Sequence, residues 1–442
     1  MNQGHVVIAG LGSTGLSVAR HLAVRGWRLA GTDTRATPPG LDALRAIQGD
    51  MPLRCGGLDA ALLDGAACVV SSPGLALDGP FFARARELGV AIIGDIELFA
   101  RSVNARVVAI TGTNGKSTVT TLVARMAQRA GLVVRAGGNL GPPALDLLDD
   151  VPADLYVLEL SSYQLETTDS LRLAAATVLN VTPDHMDRYT DLQAYADAKA
   201  RIFRHCSRAV VNRDDPRVVR MPAAGQPCLG FSLDVTNAAD YTIRRHEGAW
   251  WLARGEERLL AVDAMRIRGL HNAANALAAL ALGEAIGLPR AAMLAELQEF
   301  PGLPHRAEWV ADVDGVHYVN DSKGTNVGST LAAVAGFDGS LVVIAGGDGK
   351  NQDFSPLKAA FAGKVRHAVL IGRDAPQLAA ALEGACAIER ADSLEAAVLA
   401  ARRVAQAGET VLLSPACASL DMFKDYTHRG AVFAATVKGM AA

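Results

Sequence analysis

The sequence predicts an α/β fold in which three successive units each carry a mainly parallel β-sheet covered by helices. Short apolar, β-branched runs end in glycine or polar turns and are then followed by helical patterns, an alternation typical of doubly wound sheets. The length of 442 residues fits about two to four domains. Hydrophobic residues make up 50% of the chain and charged residues 20%, which supplies packed cores and excludes a mainly disordered chain.

The first unit ends near residue 95 and contains strand-like runs at residues 5–9, 28–33, 67–70 and 90–93. Its first strand leads into Gly10-x-Gly12-x-x-Gly15, and its second ends at Asp33. Glycines in such a turn let the backbone approach a phosphate, and the acid can accept bonds from hydroxyl groups. The motif indicates a nucleotide-type ligand. NAD(P), another nucleotide diphosphate or a turn required only for packing would produce the same pattern.

The second unit extends to a Pro/Gly-rich linker at residues 301–306. We predict its strands at residues 106–111, 155–160, 176–181 and 209–212. Short alternating runs at residues 228–268 indicate a small antiparallel addition, and an Ala/Leu-rich helix spans about residues 272–286. The third unit repeats the parallel pattern, with strands predicted at residues 316–320, 341–345, 368–371 and 410–413.

A glycine-containing loop follows the first strand of the second unit and opens an apolar-periodic helix; it reads GTNGKST at residues 112–118. Backbone N–H groups of such a loop can wrap phosphates, Lys116 can reach the terminal oxygens, and Ser117 or Thr118 can bind Mg²⁺. The spacing departs from the strict GxxxxGK[ST] pattern because Ile110 stands five residues before Gly115. A polar helix start with a solvated lysine is the alternative interpretation.

Charged side chains follow further strands of the second unit, where the carboxyl-end loops of a parallel sheet meet. Glu159 is the only charge in the segment LYVLELSS, and a carboxylate in a buried strand needs a partner, often a metal ion. Asp184-His185-Met186-Asp187 follows the strand at residues 176–181. Each residue alone is more often structural, but their common position beside the phosphate loop favours a catalytic centre.

Lys199 lies in the middle of an apolar helix stripe. In the helix that begins near Asp191, apolar residues stand at positions −7, −4, +3, +4 and +7 from this lysine, namely Leu192, Tyr195, Ile202, Phe203 and Cys206. A lysine there either extends its charged end to solvent or is a buried amine with a lowered pKa. A neutral amine can add CO₂ and present the carbamate oxygens to Mg²⁺. The residues alone leave both interpretations open.

Further polar groups stand at a helix start and after strands of the third unit. Asn272 and Asn275 are three residues apart and project from one helix face, so capping would explain one and leave the other for a ligand. The remaining candidates are Arg306, Asp321, Lys323, Lys350 and the segment 414–424.

Charge and cysteine patterns exclude several classes of protein. The net charge of −3 lacks the basic excess of a nucleic-acid-binding protein. We see no uncharged apolar stretch of 18 residues and no basic segment before HVVIAG, so we expect neither a membrane helix nor a secretory signal. Six scattered cysteines without metal-finger spacing fit small buried hydrophobic residues in a reducing cytoplasm. We expect a cytoplasmic protein that binds neither nucleic acid nor membrane.

With these residues identified, the chain resembles the Mur ligase family almost from end to end. The resemblance depends on ordered motifs that include GLGSTGLS (10–17), DTRATPPGL (33–41), SSPGLAL (71–77), AITGTNGKSTVTTL (109–122), YVLELSSYQLE (156–166), NVTPDHMDRY (180–189), DAKARIF (197–203), HNAANALAALAL (271–282), GLPHR (302–306), NDSKGTN (320–326), AGGDGK (345–350) and LLSPACASLDMFKDY (412–426). The family's phosphate loop has the same shortened spacing, which accounts for Ile110.

The resemblance implies a Rossmann-like UDP-binding domain at residues 1–95, a central P-loop mononucleotide-binding ATPase domain at residues 96–302 and a Rossmann-like, amino-acid-binding domain at residues 303–442. The implied activity is that of an ATP-dependent acid–amino-acid ligase of cytoplasmic peptidoglycan precursor synthesis. It would add D-glutamate to UDP-N-acetylmuramoyl-L-alanine through an acyl phosphate, releasing ADP and phosphate. The implied cofactors are ATP and Mg²⁺, with carbamylated Lys199 organising the metal, and we expect a monomer.

Carried over by position, the family's roles fall on five sets of residues. The catalytic set is Lys116, Glu159, His185 and Lys199, and the metal-organising set is Ser117, Glu159, His185 and Lys199. ATP would be bound by Gly112, Thr113, Asn114, Gly115, Lys116, Ser117, Thr118, Asn272, Asn275, Arg306 and Asp321. The UDP substrate would be bound by Ser13, Thr14, Asp33, Thr34, Arg35, Gly74, Asn139 and His185. Glutamate would be bound by Lys323, Thr325, Lys350, Ser419, Leu420 and Tyr426.

Two positions depart from the family's usual pattern. Gly324 stands where alanine is usual, and Tyr426 stands where phenylalanine is usual, both near the implied amino-acid site. D-Glutamate and L-glutamate are therefore alternative substrates. From other classes, an NAD(P)-dependent dehydrogenase would explain the first glycine motif, and a nucleotide-binding regulatory protein would bind ATP without turnover. A folate-polyglutamate-type ligase shares the central loop but lacks the N-terminal UDP-binding unit.

Overall fold

The computed structural model describes residues 4–148, 151–267, 269–337 and 339–441, and within these the chain forms three successive sheets. Helices pack against the sheets, so the predicted α/β class is confirmed. Residue 268, the last of the predicted antiparallel stretch, lies outside the described residues. No helix among the described residues is long and apolar enough to span a bilayer.

The first sheet is parallel, with the strand order β3-β2-β1-β4-β5. Its strands are β1 (His5–Ala9), β2 (Leu29–Asp33), β3 (Leu53–Cys55), β4 (Ala66–Ser71) and β5 (Ala91–Gly94), and its helices are α1 (Ser13–Ala23), α2 (Leu41–Ile47), α3 (Pro80–Glu87) and α4 (Asp95–Ala100). Because β1 and β2 are neighbours, the glycine turn after β1 and the carboxylate of Asp33 meet at one edge of the sheet.

The central sheet has the order β14-β13-β12-β11-β10-β9-β6-β8-β7. Its strands are β6 (Arg106–Thr111), β7 (Val134–Gly138), β8 (Leu155–Glu159), β9 (Ala175–Val178), β10 (Ala209–Asn212), β11 (Cys228–Ser232), β12 (Tyr241–His246), β13 (Ala249–Arg254) and β14 (Glu257–Ala261). Its helices are α5 (Lys116–Arg129), α6 (Ser162–Glu166), α7 (Leu192–Ala200), α8 (Pro216–Val219), α9 (Leu270–Ala285) and α10 (Arg290–Glu299). Since β8 and β9 flank β6, the loops after these three strands converge.

The third sheet has the order β15-β16-β20-β17-β18-β19 and is parallel except for the β15–β16 hairpin. Its strands are β15 (Glu308–Val313), β16 (Val316–Asn320), β17 (Leu341–Gly346), β18 (Val365–Ile371), β19 (Ala387–Arg390) and β20 (Thr410–Leu413). Its helices are α11 (Val327–Ala335), α12 (Pro356–Phe361), α13 (Ala375–Leu382), α14 (Leu394–Val404) and α15 (Tyr426–Ala441).

Two sequence predictions need correction. The stretch 228–268 is antiparallel only in β12, β13 and β14, because β11 pairs in parallel with both β10 and β12. The connection at residues 233–240 brings the chain back so that β12 runs in the same direction as β11. The alternation of polar and apolar residues does not show strand direction. The helix that carries Lys199 ends at Ala200, so the predicted stripe continues on a 3₁₀ turn at Arg201–Phe203.

Candidate active site

The phosphate loop joins β6 to α5 and is held in shape by the loop after β9. The backbone N–H of Thr113 donates to the carbonyl of Asn180 at 2.9 Å, and that of Asn114 donates to the Asn180 side chain at 2.8 Å. Gly115 has φ of 85°, and a Cβ atom there would collide with the Asn275 carboxamide. The loop therefore requires glycine at this position for both backbone and space.

Two lysines converge on this loop. The ammonium of Lys116 donates to the carbonyls of Gly112 at 2.9 Å and Thr113 at 2.8 Å, and the amine of Lys199 donates to the same Gly112 carbonyl at 2.9 Å. Lys199 is 1% exposed, which confirms the buried-amine interpretation, and its Nζ lies 4.3 Å from the Tyr195 ring centroid. Burial lowers the pKa of Lys116, and burial together with the charge of Lys116 lowers that of Lys199 well below its usual value.

Glu159 ends β8 directly beside the two lysines. Its Oε1 accepts from the side chain of Asn139 at 2.6 Å, whereas its buried Oε2 has no hydrogen-bond partner. Burial is the largest influence on the pKa of Glu159 and raises it, but the charges of Lys116 and Arg306 and hydrogen bonds from Ser117 and Asn139 together outweigh burial, so the pKa is lowered. Glu159 is therefore an ionised carboxylate with one oxygen free for a cation.

Asp184 and His185 follow β9 in a tight turn where His185 adopts φ of 59°. The His185 ring contacts the Tyr163 ring edge-to-face at 5.1 Å, and burial lowers its pKa. Burial would raise the pKa of Asp184, but Lys350 of the third sheet's domain forms an ion pair with Oδ1 of this carboxylate and the pKa is lowered. Within the described residues, no cluster of three or more His, Cys, Asp or Glu side chains has metal-binding geometry.

A cavity of about 300 Å³ lies between the central and third domains. Seven of the residues assigned to ATP line it, together with two from the implied amino-acid loop: Asn114, Gly115, Thr118, Asn272, Asn275, Arg306, Asp321, Lys323 and Gly324. The side chain of Asn275 donates to that of Asn272 at 3.1 Å. The expectation that one of this pair caps the helix is wrong, because α9 begins one turn earlier, after Gly269.

Arg306 and Asp321 connect this cavity to the phosphate loop. The Arg306 guanidinium donates to the Ser117 hydroxyl at 2.7 Å, and burial lowers its pKa. Asp321 accepts from the Ser414 hydroxyl at 3.0 Å, and burial raises its pKa to about 7. Ser117 is thus held by a cation from the third domain.

Residues assigned to glutamate lie in three neighbouring loops of the third domain. The Lys323 ammonium lies 3.7 Å from the centroid of the Tyr426 ring, and burial lowers the pKa of Lys323 to about 8. The loop that carries Lys350 pairs with the loop of Ser419 through reciprocal backbone bonds between Asp348 and Ala418. Thr325 shares the Lys323 loop and is half-buried, whereas Leu420 is 72% exposed.

A second cavity, of about 570 Å³, opens between the first domain and the central domain. All but one of the residues assigned to the UDP substrate line it: Ser13, Thr14, Asp33, Thr34, Arg35, Gly74 and Asn139. The exception, His185, lies beside Asp184. Both oxygens of Asp33 accept hydrogen bonds, from Arg35 and from the backbone N–H of Leu11, and the Arg35 bonds lower its pKa to about 2.

Sequence reasoning missed several residues of these cavities. Asn180 and Thr182 line the first cavity and Gln164 lines the second, and all three stand in quoted motifs just after strands β8 and β9. Because each is a polar residue just after a predicted strand, sequence analysis could have included them among the candidate site residues. Phe231, His271 and Asn326 carried no comparable signal, because only the folded chain brings them to the site.

Known families match the chain in three consecutive stretches. The family described as "Mur ligase MurD-like, N-terminal domain" matches residues 4–94, "Mur ligase middle domain" matches residues 110–283, and "Mur ligase, glutamate ligase domain" matches residues 305–417.

Curated relatives cover almost the whole chain. A UDP-N-acetylmuramoylalanine–D-glutamate ligase of Nitrosococcus oceani is 54% identical over 98% of this chain and 96% of its own. An enzyme of the same name from Methylococcus capsulatus is 52% identical over 99% of this chain and 95% of its own.

Solved structures of related fold include a type C pseudomurein peptide ligase from Methanothermus fervidus, with a TM-score of 0.61 at 18% identity over 93% of this chain and 96% of that chain. A UDP-N-acetylmuramate–alanine ligase from Thermotoga maritima gives 0.59 at 18% identity over 99% of both chains. At this identity the likeness concerns the fold alone. The relatives above 50% identity decide the family: this chain belongs to the Mur ligase family and is an ATP-dependent ligase.

Proposed function

We propose that this enzyme joins D-glutamate to UDP-N-acetylmuramoyl-L-alanine with hydrolysis of ATP to ADP and phosphate. The observation that carries the proposal is the link between the two cavities. Asn139 lines the cavity of the first domain and donates to Glu159, while Ser117, in the adjacent phosphate loop, is bonded to Arg306 of the other cavity. A carboxylate reaching from one cavity would meet a phosphoryl group reaching from the other.

The cavity between the first and central domains suits a UDP-sugar. The glycine turn after β1 offers backbone N–H groups for a diphosphate, and Arg35 is a cation at its edge whose guanidinium is held by Asp33. Ser13 and Thr14 add hydroxyl groups at the start of α1, where a helix favours anions. The muramoyl-alanine end would then extend towards Asn139 and the loop after β8.

The cavity between the central and third domains suits ATP. Asn272 and Asn275 would contact the nucleotide on one side and Asp321 on the other, with Lys116 and the loop N–H groups on the phosphates. Transfer of the γ-phosphoryl group to the alanyl carboxylate would break its bond to ADP and form an acyl phosphate. Lys116 and Arg306 would stabilise the charge that develops on the phosphoryl oxygens.

Mg²⁺ fits the residues around Glu159. The unpartnered Oε2 is a buried anionic oxygen of the kind that Mg²⁺ prefers, and Ser117 and His185 lie on adjacent loops. When bound, Mg²⁺ would neutralise negative charge on the phosphates. Lys199 would hold a carbamate, which is supported by its burial and its lowered pKa, since only a neutral amine adds CO₂.

Glutamate would enter from the third domain. Lys323, Thr325, Lys350 and Ser419 offer cations and hydroxyl groups for its two carboxylates, and Tyr426 and Leu420 border the same loops. Its neutral amine would attack the acyl carbon, and the tetrahedral intermediate would collapse to amide and phosphate. Closure around the cavity would exclude water, which otherwise hydrolyses the acyl phosphate.

We also propose the boundaries at residues 95/96 and 302/303, a monomeric state and a cytoplasmic location. Six free cysteines, among the described residues, agree with a reducing compartment.

Phosphate release from ATP tests the proposal directly. Purified enzyme with UDP-N-acetylmuramoyl-L-alanine should release phosphate and form the amide with D-glutamate, but not with lysine, and mass spectrometry would identify the product. Preference for L-glutamate would correct the stereochemistry, and no phosphate release with either isomer would refute the ligase. Lys199→Ala should abolish turnover, and added bicarbonate should not restore it in Lys199→Arg. Full activity of Lys199→Ala would refute the carbamate.

A further inference from the structure

Asn326 lies where loops of two domains meet, and no step of the proposed reaction involves it. It is the last residue of the NDSKGTN motif, is 3% exposed and caps α11 by accepting from the backbone N–H of Ser329 at 2.8 Å. A helix cap needs only one side-chain oxygen. The rest of this carboxamide therefore serves another purpose.

The Asn326 amide makes four hydrogen bonds, which is its full capacity. Besides the cap, Oδ1 accepts from Nδ2 of Asn114 at 3.3 Å, while Nδ2 donates to Oδ1 of Asn114 at 3.2 Å and to Oδ2 of Asp184 at 3.1 Å. The other oxygen of Asp184 binds Lys350. One buried side chain of the third domain is thus bonded to the phosphate loop and to the loop after β9.

These partners are themselves fixed in place. The backbone of Asn114 is held by the Asn180 side chain, so the Asn114 carboxamide is fixed relative to the rest of the phosphate loop. On the other side, Asn326 ends the loop that carries Lys323 and Thr325. The pair of carboxamides therefore joins this loop directly to the phosphate loop.

We infer that Asn326 is a positioning residue that holds the glutamate-binding loop in register with the phosphate loop, so that the amine rather than water reaches the acyl phosphate. The inference rests on the proposed ligase reaction. Asn326 acts through Asn114, Asp184 and the loop it ends, without touching the reacting atoms.

Asn326→Ser tests this role, because serine keeps an oxygen for the helix cap but loses both N–H donors. We expect the KM for D-glutamate to rise about tenfold, because the loop that carries Lys323 and Thr325 loses its bonds to Asn114 and Asp184. The KM for ATP should stay within about twofold, because the Asn180 side chain still holds the backbone of Asn114. The ratio of phosphate released to amide formed should rise from about one to about two or more. A role in folding alone would not change that ratio.

Ser393→Ala is the matched control, because it removes a cap of the same domain, where the Ser393 hydroxyl accepts from Ala396 at 3.1 Å. It should lower the melting temperature by a few degrees and leave the ratio at one. In the double variant Asn114→Ser/Asn326→Ser, the increase in the ratio should not exceed that of the worse single variant.

A ratio of one with an unchanged KM for glutamate in Asn326→Ser would overturn the inference, as would fully multiplicative effects in the double variant. If the unmodified enzyme forms no amide, the ligase proposal fails as well, and that result is seen before any variant is made.

Discussion

The two interfaces that join the three domains differ in physical character. A single apolar core runs from the first domain into the central domain. Helix α4 spans the proposed boundary at residues 95/96, and its Phe99 ring packs edge-on against Tyr156 at 5.3 Å. Between the central and third domains, the contacts that bear on the site are polar: Asn114 with Asn326, Asp184 with Lys350 and Ser117 with Arg306.

From this difference we expect one junction to be fixed and the other to open. Parting the first pair of domains would expose apolar surface, at about 25 cal/mol for each Å². Parting the second would exchange polar pairs for water, at a net cost of about 1 kcal/mol for each hydrogen bond. We therefore expect the central and third domains to separate for substrate entry while the first two move together.

The largest expected effect concerns the opening interface. Lys350→Met removes the cation that pairs with Asp184 and leaves a buried carboxylate unpaired in the closed arrangement. Loss of one partner of such a pair costs about 2–5 kcal/mol, so kcat/KM for D-glutamate should fall about a thousandfold. The free energy of unfolding should change by less than about 0.5 kcal/mol, because Asp184 can reach water when the interface opens.

Steady-state kinetics and urea denaturation measure both quantities on the same preparation. Lys358→Ala, which removes an exposed lysine of α12, should change neither. A large loss of stability in Lys350→Met would show that this interface does not open.

The fixed interface should respond in the opposite way. On α4, the helix that spans the proposed boundary, the buried carboxylate of Glu97 accepts from the backbone N–H groups of Asp169 and Ser170 at 2.8 and 2.9 Å and from the Ser170 hydroxyl. Glu97→Ala leaves these donors without partners and should lower the free energy of unfolding by about 3 kcal/mol.

Urea denaturation should give this result, with kcat reduced only a few-fold at temperatures where the variant is folded. Glu87→Ala, which breaks an exposed pair with Arg84, is the matched control and should stay within about 0.5 kcal/mol. Equal stability of the two variants would contradict the contrast between the interfaces.

Interior strands were predictable from sequence, whereas most edge strands were not; the edge strand β5, predicted at residues 90–93, is an exception. His5–Ala9, Arg106–Thr111 and Val316–Asn320 were predicted with the bounds that the structure has, since buried parallel strands are continuous apolar runs. The four strands that sequence analysis missed all lie at sheet edges, namely β3, β7, β15 and β19. An edge strand is half-exposed and mixes polar with apolar residues, so its pattern is weak.

The same reasoning applies to the site. Residues carried by one strand–loop–helix unit, such as Lys116, were predictable because spacing along the chain places them. Contacts between domains, such as Asn326 with Asn114, join residues 212 positions apart and depend on packing that no local pattern contains.

A pH titration sharpens the description of the fixed interface. Burial raises the pKa of Asp95 to about 6 and lowers that of His21 to about 4. The folded chain therefore binds a proton at Asp95 that the unfolded chain loses above about pH 4, so this stabilisation falls as the pH rises to about 6. His21 works in the opposite sense, because its contribution is complete above about pH 6.5 and is lost as the pH falls to about 4.

In the unmodified enzyme, Asp95 and His21 change the free energy of unfolding in opposite directions between about pH 4 and 6, so their two contributions to its pH dependence should nearly cancel. Asp95→Asn removes the contribution of Asp95 and leaves that of His21, so the free energy of unfolding of this variant should rise by about 2 kcal/mol between pH 4 and 6.5. Urea denaturation at several pH values measures this difference. If the free energy of unfolding of Asp95→Asn did not change over that range, the lowered pKa of His21 would be contradicted.

The smallest effect is expected at Gly324, on the border of the opening interface. A Cβ atom there would lie 2.7 Å from Oδ2 of Asp321, so Gly324→Ala forces this carboxyl to turn away from the Ser414 hydroxyl that it now accepts from at 3.0 Å. Because Asp321 lines the cavity assigned to ATP, the KM for ATP should rise about threefold, a change of about 0.6 kcal/mol. Gly49→Ala, where the nearest atom would be 3.8 Å away, is the matched control and should leave the KM unchanged. An unchanged KM in Gly324→Ala would mean that the Asp321 carboxyl binds no part of the nucleotide.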